Sequence, residues 1–211
     1  VLNLQLFGSA VILAGGRSTR MGFDKQLLQS GGRTITDELI AELKTCFSDV
    51  LISSSRPELY EGRDVRVVQD VFEGCGPLAG IHAALLQARS QWVFVTACDM
   101  PYLEPAYIDY MMGRLRDRLP ADAYEVCATE REGRLEPFHA FYGRAALPLL
   151  ENRLEQGLCS VTRFVREAKA LIIPEGEAES FLPGWRAFLN LNTPEEYERY
   201  RRLTSGSGQG V

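Results

Sequence analysis

The chain has 211 residues, 45% of them hydrophobic, enough for one sizeable core. Its 28 acidic residues outnumber 23 basic ones for a net charge of −5, which argues against the broad basic surface that a nucleic acid or an anionic membrane requires. The five cysteines, at positions 46, 75, 98, 127 and 159, form no C-x-x-C pair and have no histidine at ligand spacing, so neither a zinc site nor a redox dithiol is suggested; scattered thiols in odd number fit a cytoplasmic protein.

Residues 1–9 read as an N-terminal extension that lacks the basic start and long apolar centre of a signal peptide. No window approaches the roughly 20 apolar residues of a membrane span. A buried strand over Ala10–Ala14 runs directly into Leu13-Ala14-Gly15-Gly16-Arg17-Ser18-Thr19-Arg20-Met21-Gly22-Phe23-Asp24-Lys25. Glycines at a strand's carboxyl end let consecutive N–H groups face phosphate oxygens, and Arg20 and Lys25 add positive charge around them. The glycines at 15, 16 and 22, and a lysine that follows an aspartate, fit neither the dinucleotide fingerprint nor the Walker loop. The stretch reads as a triphosphate loop, with a solvated basic turn as the plain alternative.

Leu39, Ile40, Leu43 and Phe47 form a helical stripe ahead of a strand at Val50–Ser53, and Val65–Gln69 reads as the next strand. Asp70, Gly74, Gly76, Pro77 and Gly80 then lead into a helix carrying Ile81, Leu85 and Ala88. Glycines on both sides of Pro77 suggest a tight turn near a ligand, against which stands a merely structural strand-to-helix turn. The strand Trp92–Ala97 brings Asp99, in Cys98-Asp99-Met100-Pro101, to its end. A carboxylate there can hold Mg²⁺ together with substrate phosphates, the alternative being a turn aspartate before proline.

Ile108, Met111, Leu115 and Leu119 mark a third helix with Pro105 in its first turn, and Val126–Thr129, Phe138–Tyr142 and Leu171–Ile173 complete the strands. His82 and His139 have no serine or cysteine partner signature and read as packing or surface residues. Arg153, Arg163 and Arg166 read as solvated helix faces within reach of an anionic second substrate. In Asn190-Leu191-Asn192-Thr193-Pro194-Glu195-Glu196, Thr193 is a helix N-cap, Pro194 takes the first helical position and Glu196 completes a capping box. Asn190 and Asn192 alternate onto one face, where an amide can bind a phosphate, a base edge or a metal-bound water. Residues 204–211 read as a flexible tail.

Strands alternating with helices predict an α/β fold, a Rossmann-like three-layer sandwich with a mostly parallel central sheet, in one domain over residues 10–203. Such sheets bind ligands at the carboxyl ends of their strands, so the Gly15–Lys25 loop and the segments after Val68 and Ala97 share one rim.

Together, L-A-G-G-R-S-T-R-M-G-F-D-K, G-P-L-A-G, C-D-M-P and N-L-N-T-P-E-E, in this order, resemble the molybdenum cofactor guanylyltransferases from Val11 to about Tyr200. The resemblance implies the nucleotide-diphospho-sugar transferase type of fold. It also implies transfer of GMP from GTP to the terminal phosphate of (molybdenum-)molybdopterin, with release of pyrophosphate and Mg²⁺ as cofactor. By motif, Leu13, Ala14, Gly15, Gly16, Lys25, Ser53, Asp70, Gly80 and Asp99 would bind the nucleotide. Arg20, Lys25 and Asp99 would be catalytic, Asp99 the Mg²⁺ ligand, and Asn190 and Asn192 would face the second substrate. Implied partners are GTP and molybdopterin, and beyond them proteins that insert or deliver the cofactor, with no nucleic acid and no membrane.

One departure stands out: the family often has asparagine after the second strand, where this chain has Ser53-Ser54-Ser55-Arg56. Serine lacks the amide's fixed donor and acceptor pair, which bears on guanine selectivity. Related sugar-1-phosphate nucleotidyltransferases typically have proline where this chain has Asp24, and cytidylyl relatives often have Ala-Ala-Gly and Asn-Lys. The alternatives are therefore a CTP-dependent molybdopterin cytidylyltransferase or a sugar-phosphate nucleotidyltransferase of the same fold, and, from another class, a nucleotide-binding carrier that performs no transfer. A metal-dependent glycosyltransferase ranks lower, because no Asp-x-Asp surrounds Cys98–Met100.

Overall fold

The computed structural model describes residues 2–15, 24–30, 32–118, 120 and 123–205. At its centre lies β1 (Ser9–Leu13), five consecutive buried residues, a pattern stable only in a strand covered on both faces. It pairs in parallel with β4 (Asp49–Ser53) on one side and β6 (Trp92–Ala97) on the other. The short β5 (Arg66–Val68) extends the sheet beyond β4. Beyond β6 lie β8 (Arg134–Gly143), antiparallel to it, then β7 (Val126–Arg131) and, at the far edge, β9 (Ala170–Pro174). The order is β5-β4-β1-β6-β8-β7-β9, and a separate two-stranded ribbon joins β2 (Gln29–Ser30) to β3 (Arg33–Thr34).

Helices cover both faces. On one face α2 (Ile35–Cys46) and α4 (Pro105–Arg116) bury Leu39, Leu43, Ile108 and Met111 against Phe94 and Phe141. On the other, α3 (Gly76–Gln87), α5 (Leu147–Glu155) and α6 (Val161–Glu167) pack Leu85, Leu150 and Phe164 against Val93, Val95 and Ala140. The chain closes with α7 (Glu175–Ala178), a 3₁₀ segment at Pro183–Phe188 and α8 (Pro194–Ser205). Among the described residues no helix is long and apolar enough to cross a membrane.

Several details depart from the sequence reading. A short helix α1 (Leu2–Phe7) places Phe7 in the core, its ring 5.8 Å from that of Phe141, so packing begins ahead of Ala10. At the other end α8 includes Thr204 and Ser205, while residues 206–211 of the expected tail lie outside the described residues. Cys75 and Cys159 are joined in a disulfide across 84 positions, a pairing that leaves no local spacing to read, so the reading of all five cysteines as scattered thiols is corrected. Arg153 is also corrected. It is 4% exposed and donates to Glu167 at 2.6 Å, tying α5 to α6, whereas Arg163 and Arg166 are exposed as expected.

The sheet is irregular at one place. Between Cys127 and Thr129, β7 advances two residues while β8 uses five, from Phe141 to Glu136. Pro137 lies in this bulge, where a residue without an N–H is tolerated, and its carbonyl accepts the Tyr142 hydroxyl at 2.7 Å. His139 takes φ 55°, in the left-handed region. Its ring is fully buried, edge-on to Phe94 at 5.2 Å and to Phe188 at 6.0 Å, and neither ring nitrogen has a hydrogen-bond partner. Burial pushes its pKa down to about 3, from 6.5.

Between these two values the unfolded chain holds a proton at His139 that the folded chain does not, so stability falls as pH is lowered, by about 1.4 kcal/mol per pH unit. His139→Asn tolerates a positive φ and does not titrate. From pH 7 to pH 5 the wild type is expected to lose about 2 kcal/mol more stability than this variant. Urea unfolding at the two pH values checks this; equal losses would exclude a neutral buried imidazole.

Candidate active site

Leu13, the last residue of β1, stands level with Ser53 of β4 and Ala97 of β6. The ladder continues one step past the strands, with Ala14 N–H donating to the Ser53 carbonyl at 2.8 Å and Cys98 N–H to the Leu13 carbonyl at 3.1 Å. The strand order reverses between β1 and β6, which opens a crevice at their carboxyl ends. A cavity of about 370 Å³ occupies it, with Leu13, Ala14, Gly15 and Ala97 along the strand ends and Pro77 and Phe138 among its walls.

All four sequence motifs reach this cavity, and three of them meet at Lys25. The Lys25 ammonium donates to Asp99 Oδ2 at 2.6 Å and to Asn192 Oδ1 at 2.9 Å. The Lys25 and Asp99 side chains are 22% and 14% exposed, so water screens the pair only in part. Lys25 is held from behind: Asp24 Oδ1 caps the following turn by accepting from Gln26 N–H at 3.0 Å, and Asp24 Oδ2 pairs with Arg56 at 2.7 Å. Gln26 is buried, and its side-chain Oε1 accepts from the Ser54 hydroxyl at 2.7 Å and the Tyr60 hydroxyl at 2.9 Å. The aspartate that distinguishes this loop therefore braces the lysine's backbone.

The C-terminal motif is fixed just as tightly. Leu191 is fully buried and its N–H donates to the Asp99 carbonyl at 2.9 Å, so Asn190 and Asn192 on either side of it both line the cavity. Glu196 accepts from the N–H groups of Asn192 and Thr193, at 2.7 and 3.0 Å, while Thr193 Oγ1 accepts from Glu196 N–H at 3.2 Å. The capping box read from the sequence is present, and it also secures the backbone of Asn192.

Ser53 is buried and donates to Asp70 Oδ1 at 3.1 Å, which places Asp70 beyond β5 on the side away from Asn190. Gly80 is buried in α3. A Cβ there would lie 2.5 Å from Ser53 Oγ and 2.9 Å from a Leu13 methyl, so the glycine lets the helix close on the strands beneath the cavity. Gly16 and Arg20 lie outside the described residues. Cys98 also lines the cavity, but burial, and secondarily the Asp99 carboxylate, push its thiol well up, so it stays protonated and unreactive. Phe138 escaped the sequence reading as a site residue. The bulge that aims it at the cavity depends on pairing with β7, and Pro137 was the local sign of it.

The Asp99 carboxylate and Asn192 Oδ1 both turn oxygens to the Lys25 ammonium, whose place beside them a dication would have to share. An oxygen donor set suits a hard dication such as Mg²⁺, which takes one or two carboxylates and completes its shell with phosphates and water. Among the described residues no group of three or more His, Cys, Asp or Glu side chains could hold a metal alone, so the fit is to a cation that arrives with phosphate.

Removing the capping box tests how far this site depends on the start of α8. Thr193→Ala and Glu196→Ala are each expected to cost about 1 kcal/mol in urea unfolding, and Glu196→Ala, which also releases Asn192, to weaken nucleotide binding as well. Glu196→Ala with unchanged stability and affinity would contradict that role.

A family model described as the MobA-like NTP transferase domain matches residues 10–171. The chain is 42% identical over 202 residues to the molybdenum cofactor guanylyltransferase of Syntrophotalea carbinolica, covering 96% of this chain and 94% of that protein. It is 38% identical over 201 residues to a Peptoclostridium acidaminophilum protein named "Probable molybdenum cofactor guanylyltransferase", covering 95% and 91%. Among solved structures, molybdopterin-guanine dinucleotide biosynthesis protein A from Archaeoglobus fulgidus has a TM-score of 0.80 at 22% identity, over 94% of this chain and 99% of that one. The 2-C-methyl-D-erythritol 4-phosphate cytidylyltransferase of Thermus thermophilus shares the fold at a TM-score of 0.66 and 16% identity, over 93% and 98%. With the family model spanning most of the sheet and both strand-end motifs of the cavity, the chain belongs to the MobA-like NTP transferases.

Proposed function

We propose that this protein transfers GMP from GTP to the terminal phosphate of molybdopterin, releasing pyrophosphate and forming the guanine dinucleotide form of the cofactor. The observation that carries the reading is the meeting of Lys25, Asp99 and Asn192 at 2.6 and 2.9 Å over the ends of β1 and β6. Identity to molybdenum cofactor guanylyltransferases over nearly the whole chain supports the choice of nucleotide and acceptor.

The acceptor phosphate supplies the attacking oxygen, so the reaction needs no protein nucleophile. A new P–O bond forms at the α-phosphorus as the bond to pyrophosphate breaks. The protein's task is to align the two phosphates and to offset charge as it builds on the departing group. Leu13, Ala14 and Gly15, with Ser53 and Asp70 beyond them, form the nucleotide side; Asn190 and Asn192 form the acceptor side. Lys25 stands between the two, within reach of phosphates from either. Asp99 would hold Mg²⁺, which when bound supplies Lewis-acid stabilisation of the phosphoryl oxygens. Gly16 and Arg20 belong to the same loop and are proposed as further phosphate contacts, Gly80 as a support of the nucleotide side. The proposal sets the reaction in the cytoplasm, with proteins that insert or deliver the cofactor as downstream partners.

Calorimetry with GTP, CTP, ATP and UTP in the presence of Mg²⁺ tests the nucleotide. Selective GTP binding that Lys25→Ala weakens is expected, whereas a preference for CTP would move the assignment to a cytidylyltransferase. Asp99→Ala is expected to fold normally and to lose turnover by a hundredfold or more, roughly the several kcal/mol that a phosphate-bridging metal provides. Near-normal pyrophosphate release by that variant would refute the role of Asp99.

A further inference from the structure

Phe138, in the wall of the cavity, belongs to the β7–β8 hairpin. Because β8 is antiparallel to β6 and to β7, the end of β7 at Arg131 lies on the same rim as the ends of β1 and β6. The two strands join through a tight turn at Glu132 and Gly133, with φ 49° and 69°. Glu136 sits opposite Thr129, whose hydroxyl bonds Tyr107, and so faces the same side of the sheet as that buried pair. It is two positions from Phe138, across the bulge at Pro137.

Among the described residues, two polar groups on this face are left with unused hydrogen-bonding capacity. The half-buried Glu136 carboxylate has no hydrogen bond or ion pair among the described residues, although Arg131 and Arg134 lie close enough to oppose the upward push that burial gives its pKa. Arg131 Nε is buried and unsatisfied, and the guanidinium lies 5.1 Å over the Trp185 ring, its one hydrogen bond a 3.4 Å contact to Glu132. Trp185 is held at φ 56°, stacked at 6.0 Å on Phe188, five positions before Asn190. A positive φ is costly for tryptophan, and here it holds the indole under the Arg131 guanidinium.

We infer that Glu136, Arg131 and Trp185 form the subsite for the heterocyclic end of the acceptor, with Glu136 reading the 2-amino-4-oxopyrimidine edge of a pterin. This rests on the guanylyl-transfer reading and deepens it. That edge presents a ring N–H and an exocyclic amine side by side, two parallel donors that a carboxylate meets in the manner of a guanidinium fork. A planar heterocycle also stacks on the face of a guanidinium that itself lies over an indole. The nucleotide lies toward β4 and β5, the acceptor's phosphate at Lys25 and Asn192, and its ring is left the β7–β8 side.

The test uses the full chain, with molybdopterin as acceptor, pyrophosphate release as the assay and calorimetry for GTP. Glu136→Gln replaces one acceptor oxygen with a donor and changes little else. It is expected to raise the KM for molybdopterin at least about tenfold while kcat and the Kd for GTP stay within about twofold. Trp185→Phe, which keeps a smaller ring, should raise the same KM by less. An acceptor KM for Glu136→Gln within about twofold of the wild type would overturn the subsite and leave guanylyl transfer standing. A wild-type protein that binds GTP yet releases no pyrophosphate with molybdopterin would overturn the functional reading, and the subsite with it.

Discussion

Everything in the site depends on the register of β1 between its two parallel neighbours. Leu13 is level with Ser53 and with Ala97, and this puts Ala14 and Gly15, the serine that engages Asp70 and the strand that delivers Asp99 at one height. A shift by a single residue would turn the alternating side chains of β1 to the wrong face and bring Gly15 out of line with both. The register is secured at the other end of the strands as well. Asp49, buried at the start of β4, accepts from Ser9 Oγ at 2.7 Å and from the Arg66 guanidinium at 2.7 Å. That cluster cross-links β1, β4 and β5 far from the chemistry, and a polar group so buried holds its neighbours in one arrangement.

The seven strands of the sheet were legible because their burial is written into composition. A segment such as Trp92–Ala97, apolar almost throughout, has few other places to go in a chain of this size. The capping box before α8 was legible for a different reason, since Thr193 and Glu196 act on backbone groups within one turn. The convergence of Lys25, Asp99 and Asn192 came from motif order rather than from any one spacing, for Lys25 and Asn192 are 167 positions apart.

What escaped the sequence depends on contacts between distant segments. The antiparallel turn of β8 and its bulge follow from which strands flank it, and Pro137 alone hinted at either. Arg153 looked like a surface charge because only the packing of α6 against α5 brings Glu167 to it. Gly80 looked like a ligand contact, and the crowding of Ser53 and Leu13 above it becomes visible only once α3 is laid on the sheet. Helical and strand periodicity say which way a residue faces within its own element; they carry no information about what the neighbouring element brings.

The pairing of Lys25 with Asp99 also governs what the waiting cavity attracts. Alone, an ammonium at this crevice would collect stray anions and a carboxylate would collect stray dications. Joined at 2.6 Å, each already has its counter-charge, and a ligand of one sign must compete with the other half of the pair. A compound that carries both signs at once, as a chelated triphosphate does, can satisfy the two halves together. The ion pair thus disfavours a lone anion or a lone dication beside Lys25 and Asp99 relative to a ligand that brings both charges together.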